Sequence, residues 1–124
     1  MGIVSPLKGY RLCWFLNRDL RIDLVRQEDI SLHSSKDRIL QSFSHFTYCL
    51  EEDGLTFHVI ENKGENGLML PQTPQFDYFL LLEGHLAEDR SPDVIQVVKG
   101  IEAVQLVKEL EVARFKGMEN LIFD

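Results

Sequence analysis

Hydrophobic positions in this chain change period several times, and each change marks the border of a predicted element. Gly2-Ile3-Val4-Ser5 is a short apolar piece suited to a first strand. From Lys8 to Leu20 the residues Leu12, Cys13, Phe15, Leu16 and Leu20 recur at helical spacings, Trp14 widens their stripe, and Arg11, Asn17 and Arg18 take the other side. Ser5 and Pro6 fit an N-cap followed by proline at the first helical position. Leu20, Ile22 and Leu24 then alternate with Arg21 and Asp23, the period of a short strand. The following QEDISLHSSKD is polar and aperiodic and predicts a surface loop, so its Ser31 and the His33-Ser34-Ser35 run read as solvated residues.

Two alternating runs come next. Phe46, Tyr48 and Leu50 lead to Glu51-Glu52-Asp53-Gly54, and Leu55, Phe57 and Val59 follow. Asp-Gly between such runs predicts a hairpin with a two-residue type I′ turn, since both turn positions need positive φ. That turn pairs Glu52 with Leu55, Leu50 with Phe57 and Tyr48 with Val59, and it gathers the large apolar side chains on one face. On the opposite face it sets Cys49 across from His58 and His45 across from Asn62.

NKGENG, residues 62–67, predicts a turn, and the proline-punctuated stretch to Pro74 leads into a strand over Phe76 to Glu83. Phe76, Tyr78, Leu80 and Leu82 share one face of that strand; Asp77, Phe79, Leu81 and Glu83 share the other. Both faces are largely apolar, which predicts a central position. Ser91-Pro92-Asp93 reads as a helix start and Gly100 as its stop, with Val94, Ile95, Val97, Val98 and Ile101 as the buried stripe. Residues 103–112 fit a strand better than a helix running on through Gly100, although Lys108 interrupts the alternation. The Leu121-Ile122-Phe123 tail must either tuck against the body or stay exposed. The whole predicts a single α+β domain over residues 1–124: an antiparallel sheet with two helices packed on one face, a ferredoxin-like relative with extra strands.

Composition narrows the function classes. The formal net charge of −7, with no run of Lys or Arg, argues against nucleic acid as a partner. No apolar stretch approaches the roughly 20 residues that span a bilayer, which argues against a membrane. MGIVSPLKGY lacks the pattern of an export signal, so the expected location is cytoplasmic, and Cys13 and Cys49 are expected to be buried thiols.

The string LPQTPQFDY, Leu70 to Tyr78, resembles the motif of a bacterial family named for its IPExxxVDY sequence. YRLCWFLN from Tyr10 to Asn17, the ENK after the hairpin, DYFL from Asp77 to Leu80 and the terminal NLIF also resemble family features, so the likeness spans most of the chain. Pro71, Asp77 and Tyr78 match the motif. Leu70 and Phe76 replace its Ile and Val, and Gln72 replaces its Glu, which removes a carboxylate from any scheme that needs an acid there. The resemblance implies a small, soluble, cytoplasmic protein and no established activity.

The candidate chemistry is sparse. Asp77 and Tyr78 point to opposite faces of a strand and cannot act together; Asp77 is expected to accept backbone hydrogen bonds at the strand entry, and Tyr78 to be a core aromatic. A Cys/His group of His45, Cys49 and His58 can bind zinc or activate a thiolate, but a metal site normally needs three or four convergent ligands. GENG lacks the pattern of a phosphate-binding loop, and no cofactor is implied. The face carrying Phe43, Ile60, Phe79 and Leu81 together with His45, Cys49, His58 and Asp77 is expected to be left partly open by the helices. That face suggests a non-enzymatic binding or assembly module that engages a protein partner or itself as a homodimer. The two alternatives are burial of the face by the C-terminal tail, and a small-molecule site or enzyme centred on Cys49, His58, His45 or Asp77.

Overall fold

The computed structural model describes residues 1–33, 40–64, 67–69 and 73–110. Their elements are β1 (Gly2–Val4), α1 (Gly9–Leu20), β2 (Val25–Arg26), β3 (Ile30–His33), β4 (Leu40–Phe43), β5 (His45–Leu50), β6 (Leu55–Glu61), β7 (Lys63–Gly64), β8 (Gly67–Leu68), β9 (Tyr78–Glu83), α2 (Ala87–Lys99) and β10 (Leu106–Lys108). Six strands form one antiparallel sheet in the order β10-β1-β9-β6-β5-β2, and β3-β4 and β7-β8 are separate two-stranded ribbons. The fold is thus α+β, with β9 inside the sheet as its doubly apolar pattern predicts.

Both helices pack on one face. Leu12, Cys13 and Leu16 from α1 and Val94 and Val98 from α2 join Ile3, Phe46, Leu55, Phe57, Val59, Tyr78, Leu80 and Val107 in the larger core. The α1 stripe is narrower than its sequence suggests. At about 100° per residue, Trp14 falls opposite the Leu12–Leu16 side and is 53% exposed.

The helix ends differ from expectation. Ser5 does not cap α1; it is buried, its hydroxyl donates to the Ala103 carbonyl at 2.9 Å, and the helix begins at Gly9 without a side-chain cap. The alternation from Leu20 to Leu24 makes no strand, because α1 runs through Leu20 and Arg21 turns left-handed (φ 58°) behind it. Asn17 Oδ1 then accepts from the Leu24 amide at 2.7 Å and fixes the exit of the chain. α2 starts one turn before Ser91-Pro92, with Glu88 and Asp89 in its first turn, where carboxylates favour the helix dipole. Pro92 therefore lies inside the helix, and α2 lacks one backbone donor there. After Gly100 the chain turns, and the predicted strand shrinks to Leu106–Lys108; residues 111 and 112 of that stretch, and the Leu121-Ile122-Phe123 tail, lie outside the described residues.

The hairpin forms with a different connection. Glu51–Asp53 make a 3₁₀ turn and Gly54 alone is left-handed, so the closing pair is Leu50 with Leu55 and the register moves by two residues. Tyr48 now faces Phe57 and Phe46 faces Val59. Asp53 avoids positive φ, and its carboxylate instead accepts from Arg90 Nη2 of α2 at 3.0 Å. Because the shift is even, the apolar face survives.

The opposite face of the sheet is not open where Phe43, Ile60 and Phe79 lie. Phe43 and Ile60 are fully buried and Phe79 is 2% exposed, in a second core with Met69 and Phe76; Ile30 and Leu81 are partly buried at its margin. Part of the 27–37 stretch read as a polar loop contributes to this cover: Ile30–His33 is a strand, and its pairing with β4 sets Ile30 opposite Phe43. The chain between β6 and β9 adds Met69 and Phe76. Phe76 precedes the strand and turns away from Tyr78 onto this second face, where its ring fills the space a side chain at Gly2 would need, 2.6 Å from an ideal Cβ. Phe79→Ala is therefore expected to destabilise the fold by about 3–5 kcal/mol through the cavity it leaves, measured by urea unfolding. A change below about 1 kcal/mol would show that this second core is not packed as described.

Candidate functional site

The pleat of three neighbouring strands projects His45, Thr47 and Cys49 from β5, Thr56, His58 and Ile60 from β6, and Phe79, Leu81 and Glu83 from β9 onto the second face. His58 stands directly between Thr47 and Leu81. His45 lies diagonally on one side of it and Glu83 diagonally on the other, within the reach of long side chains.

These three residues form a hydrogen-bonded chain. Glu83 Oε2 is 3.0 Å from His58 Nε2, and His58 Nδ1 is 3.2 Å from His45 Nε2. The two imidazoles are nearly parallel, with centroids 5.5 Å apart. An ionised carboxylate only accepts, so His58 donates to it through Nε2–H; in the arrangement with both imidazoles neutral, His58 Nδ1 then accepts from His45 Nε2–H and His45 Nδ1 is the end left to accept. His58 is buried, whereas the Glu83 side chain is half-exposed. Burial, and then the neighbouring His58, hold His45 below its ordinary pKa of 6.5.

The sequence-derived candidates thus separate. His45 and His58 come together, and the residue that joins them, Glu83, was marked only by its place in the same alternation. Cys49 faces Thr56, one pair removed from His58, and is exposed, in contrast to the buried Cys13. Asp77 is elsewhere, at the entry of β9. Its Oδ2 accepts from the Ser5 amide at 2.9 Å, its Oδ1 pairs with Lys63 Nζ at 2.8 Å, and its backbone bonds Ile3 and Asn62. Tyr78 is buried, donates its hydroxyl to the Leu7 carbonyl at 2.6 Å, and is held above its usual pKa, first by burial and then by Glu61 and Asp77. Pro71 lies outside the described residues, as do Ser34 and Ser35.

Among the described residues, no group of three or more His, Cys, Asp or Glu side chains is arranged to hold a metal ion. Grooves of about 220 and 440 Å³ flank α2, and neither is lined by His45 or His58.

A different surface emerges on α1. Tyr10 and Trp14, four residues apart, are 67% and 53% exposed. The guanidinium groups of Arg11 and Arg18 lie 5.7 and 5.3 Å from the Trp14 ring centroid and 5.6 and 5.0 Å from that of Phe15, whose ring meets Trp14 edge-on. Arg18 also forks onto the Asp19 carboxylate at 2.8 and 3.3 Å. The aromatic spacing is visible in the sequence, but the apolar stripe absorbed Trp14.

No family model, curated protein or solved structure matches the chain. No helix among the described residues is long and apolar enough to cross a membrane.

Two expectations follow from the titratable groups. The unfolded chain protonates His45 at a higher pH than the folded one, so the stability that its neutral form contributes is complete above pH 6.5 and is lost as the pH falls through the lower folded value. Urea midpoints of the wild type should drop more steeply between pH 8 and pH 5 than those of His45→Gln; parallel profiles would remove His45 as the cause. For the thiols, burial pushes Cys13 up to about 12, so a thiol reagent at neutral pH should modify Cys49 quickly and Cys13 only on unfolding. Two fast-reacting thiols would contradict that assignment.

Proposed function

We propose that the protein is a small non-enzymatic binding module that engages a protein partner through the outer face of α1. One observation carries this reading: Tyr10 and Trp14 stand in solvent beside Arg11 and Arg18, whereas the large residues Phe43, Ile60 and Phe79 are already buried within the chain. Trp, Tyr and Arg are the residue types most enriched at the energetic centres of protein interfaces. Here the Trp14 ring is held by Arg11, Arg18 and the edge-on Phe15 ring before any partner arrives, which lowers the ordering cost of association. The proposal treats the chain as a cytoplasmic relative of the IPExxxVDY family, supported by the likeness at Leu70 to Tyr78 and elsewhere.

A second reading takes its support from the Glu83–His58–His45 chain, which can carry a proton from His45 Nδ1 toward a carboxylate. It makes the protein a small-molecule-binding domain or enzyme that presents its basic end at His45.

Affinity capture from cell extract compares the wild type with a Tyr10→Ala/Trp14→Ala variant, whose exposed positions leave the fold intact. The variant should lose the captured protein, with affinity reduced about tenfold or more. An unchanged capture removes α1 as the contact surface, and loss in His58→Ala alone favours the second reading.

A further inference from the structure

We infer that the outer face of α1 receives an acidic protein segment in which carboxylates flank an apolar or aromatic side chain. The inference rests on α1 being the contact surface, and it specifies the chemistry of what binds there. Its first support is the placement of charge. Between Lys8 and Arg21 the chain carries Lys8, Arg11, Arg18 and Arg21 against Asp19 alone, although the whole chain has 20 acids, 13 Lys and Arg, and a net charge of −7. The basic stretch coincides with the exposed Tyr10 and Trp14, so one surface offers both ring faces and guanidinium donors.

The second support is how those donors are held. Arg11 and Arg18 lie over the Trp14 and Phe15 rings, a contact that engages the charge of each guanidinium and not its N–H donors. Arg18 uses Nε and Nη2 on Asp19, whereas Arg11 has no carboxylate partner among the described residues. A planar fork of this kind matches a carboxylate, and the ring beside it matches an apolar side chain.

Other occupants fit less well. A second copy meeting the same face across a two-fold axis brings Arg11, Arg18 and Arg21 against their own counterparts; a second copy presenting its acidic side makes a heterologous contact that does not close. Nucleic acid and anionic bilayers present extended negative charge to a molecule that is itself strongly negative. The aliphatic side of α1, Leu12, Cys13 and Leu16, is sealed against the sheet, so only two rings remain to enter a bilayer. A short acidic segment engages the local basic stretch without facing the acidic remainder.

Trp14 is the single tryptophan of the chain, so its emission reports this face directly. Iodide should quench it more steeply than caesium at low ionic strength, with the two converging as inert salt is added. A Glu/Leu peptide should shift the emission with saturation, and Arg11→Gln/Arg18→Gln should weaken that response about tenfold. A Lys/Leu peptide, a short DNA duplex and phosphatidylglycerol vesicles should give no saturable shift. Equal or stronger quenching by caesium, no saturable response to the Glu/Leu peptide at millimolar concentration, or a response to DNA or vesicles instead, overturns the inference. The double glutamine variant also separates it from the reading beneath it. If capture from extract is lost in Tyr10→Ala/Trp14→Ala but unchanged in Arg11→Gln/Arg18→Gln, the surface stands and the acidic partner is wrong; if neither variant loses capture, the surface itself is wrong.

Discussion

Asn62 is completely buried, and its amide donates to the carbonyls of Thr73 and Phe76 at 3.0 and 2.9 Å, while its backbone N–H reaches Asp77 O and its carbonyl accepts from Met69. These bonds close the base of the excursion between β6 and β9. Leaving such a buried amide unpaired costs on the order of 1–3 kcal/mol per group, so the closure is strongly specified. Asp77 completes it from the other side through Ser5 and Lys63. With the base shut, Met69 and Phe76 are held over the sheet beside Ile60 and Phe79, and the second core has its lid. An arrangement of polar groups thus decides which apolar surface the molecule shows.

That closure divides the second face. One end is aromatic and sealed, and the other carries Thr47, Thr56 and Cys49, with the Glu83–His58–His45 chain running back to the row of Ile60 and Phe79. The neighbouring His58 adds to burial in disfavouring the protonated form of His45. The helix side of the molecule has the opposite character. There the aliphatic stripe of α1 is consumed by the larger core, and what remains outside is an arginine-clasped tryptophan.

Much of this architecture was legible in the sequence, and the failures share a physical cause. The alternations at 46–59 and 78–83 and the helical spacing of Leu12, Cys13 and Leu16 yielded the sheet, its central strand and the helix-covered face, since periodicity reports burial directly. Boundaries failed where a distant partner outweighed a local preference. Ser5 is taken by Ala103 and not by the helix N-terminus, and Asp53 is engaged by Arg90 instead of entering a type I′ turn. The β3-β4 ribbon was hidden because Ile30–His33 alternates only briefly amid polar residues, and its apolar contribution shows only once Phe43 is seen opposite Ile30. The candidate site failed through register: pairing counted from a two-residue turn set His58 against Cys49, whereas the observed pairing sets it between Thr47 and Leu81 and within hydrogen-bond reach of the diagonal His45 and Glu83.

The four-residue connection at Glu51–Gly54 has a consequence for how this protein can change length. Sidedness in the hairpin is a matter of odd or even, so losing or gaining two residues at its tip leaves every inward side chain inward, while a single insertion inverts one whole strand. The glycine at position 84 sets a limit on such drift, because a side chain there would collide with the Gly54 carbonyl. Homologues or engineered versions of the hairpin should therefore vary in steps of two, around a fixed pair of glycines.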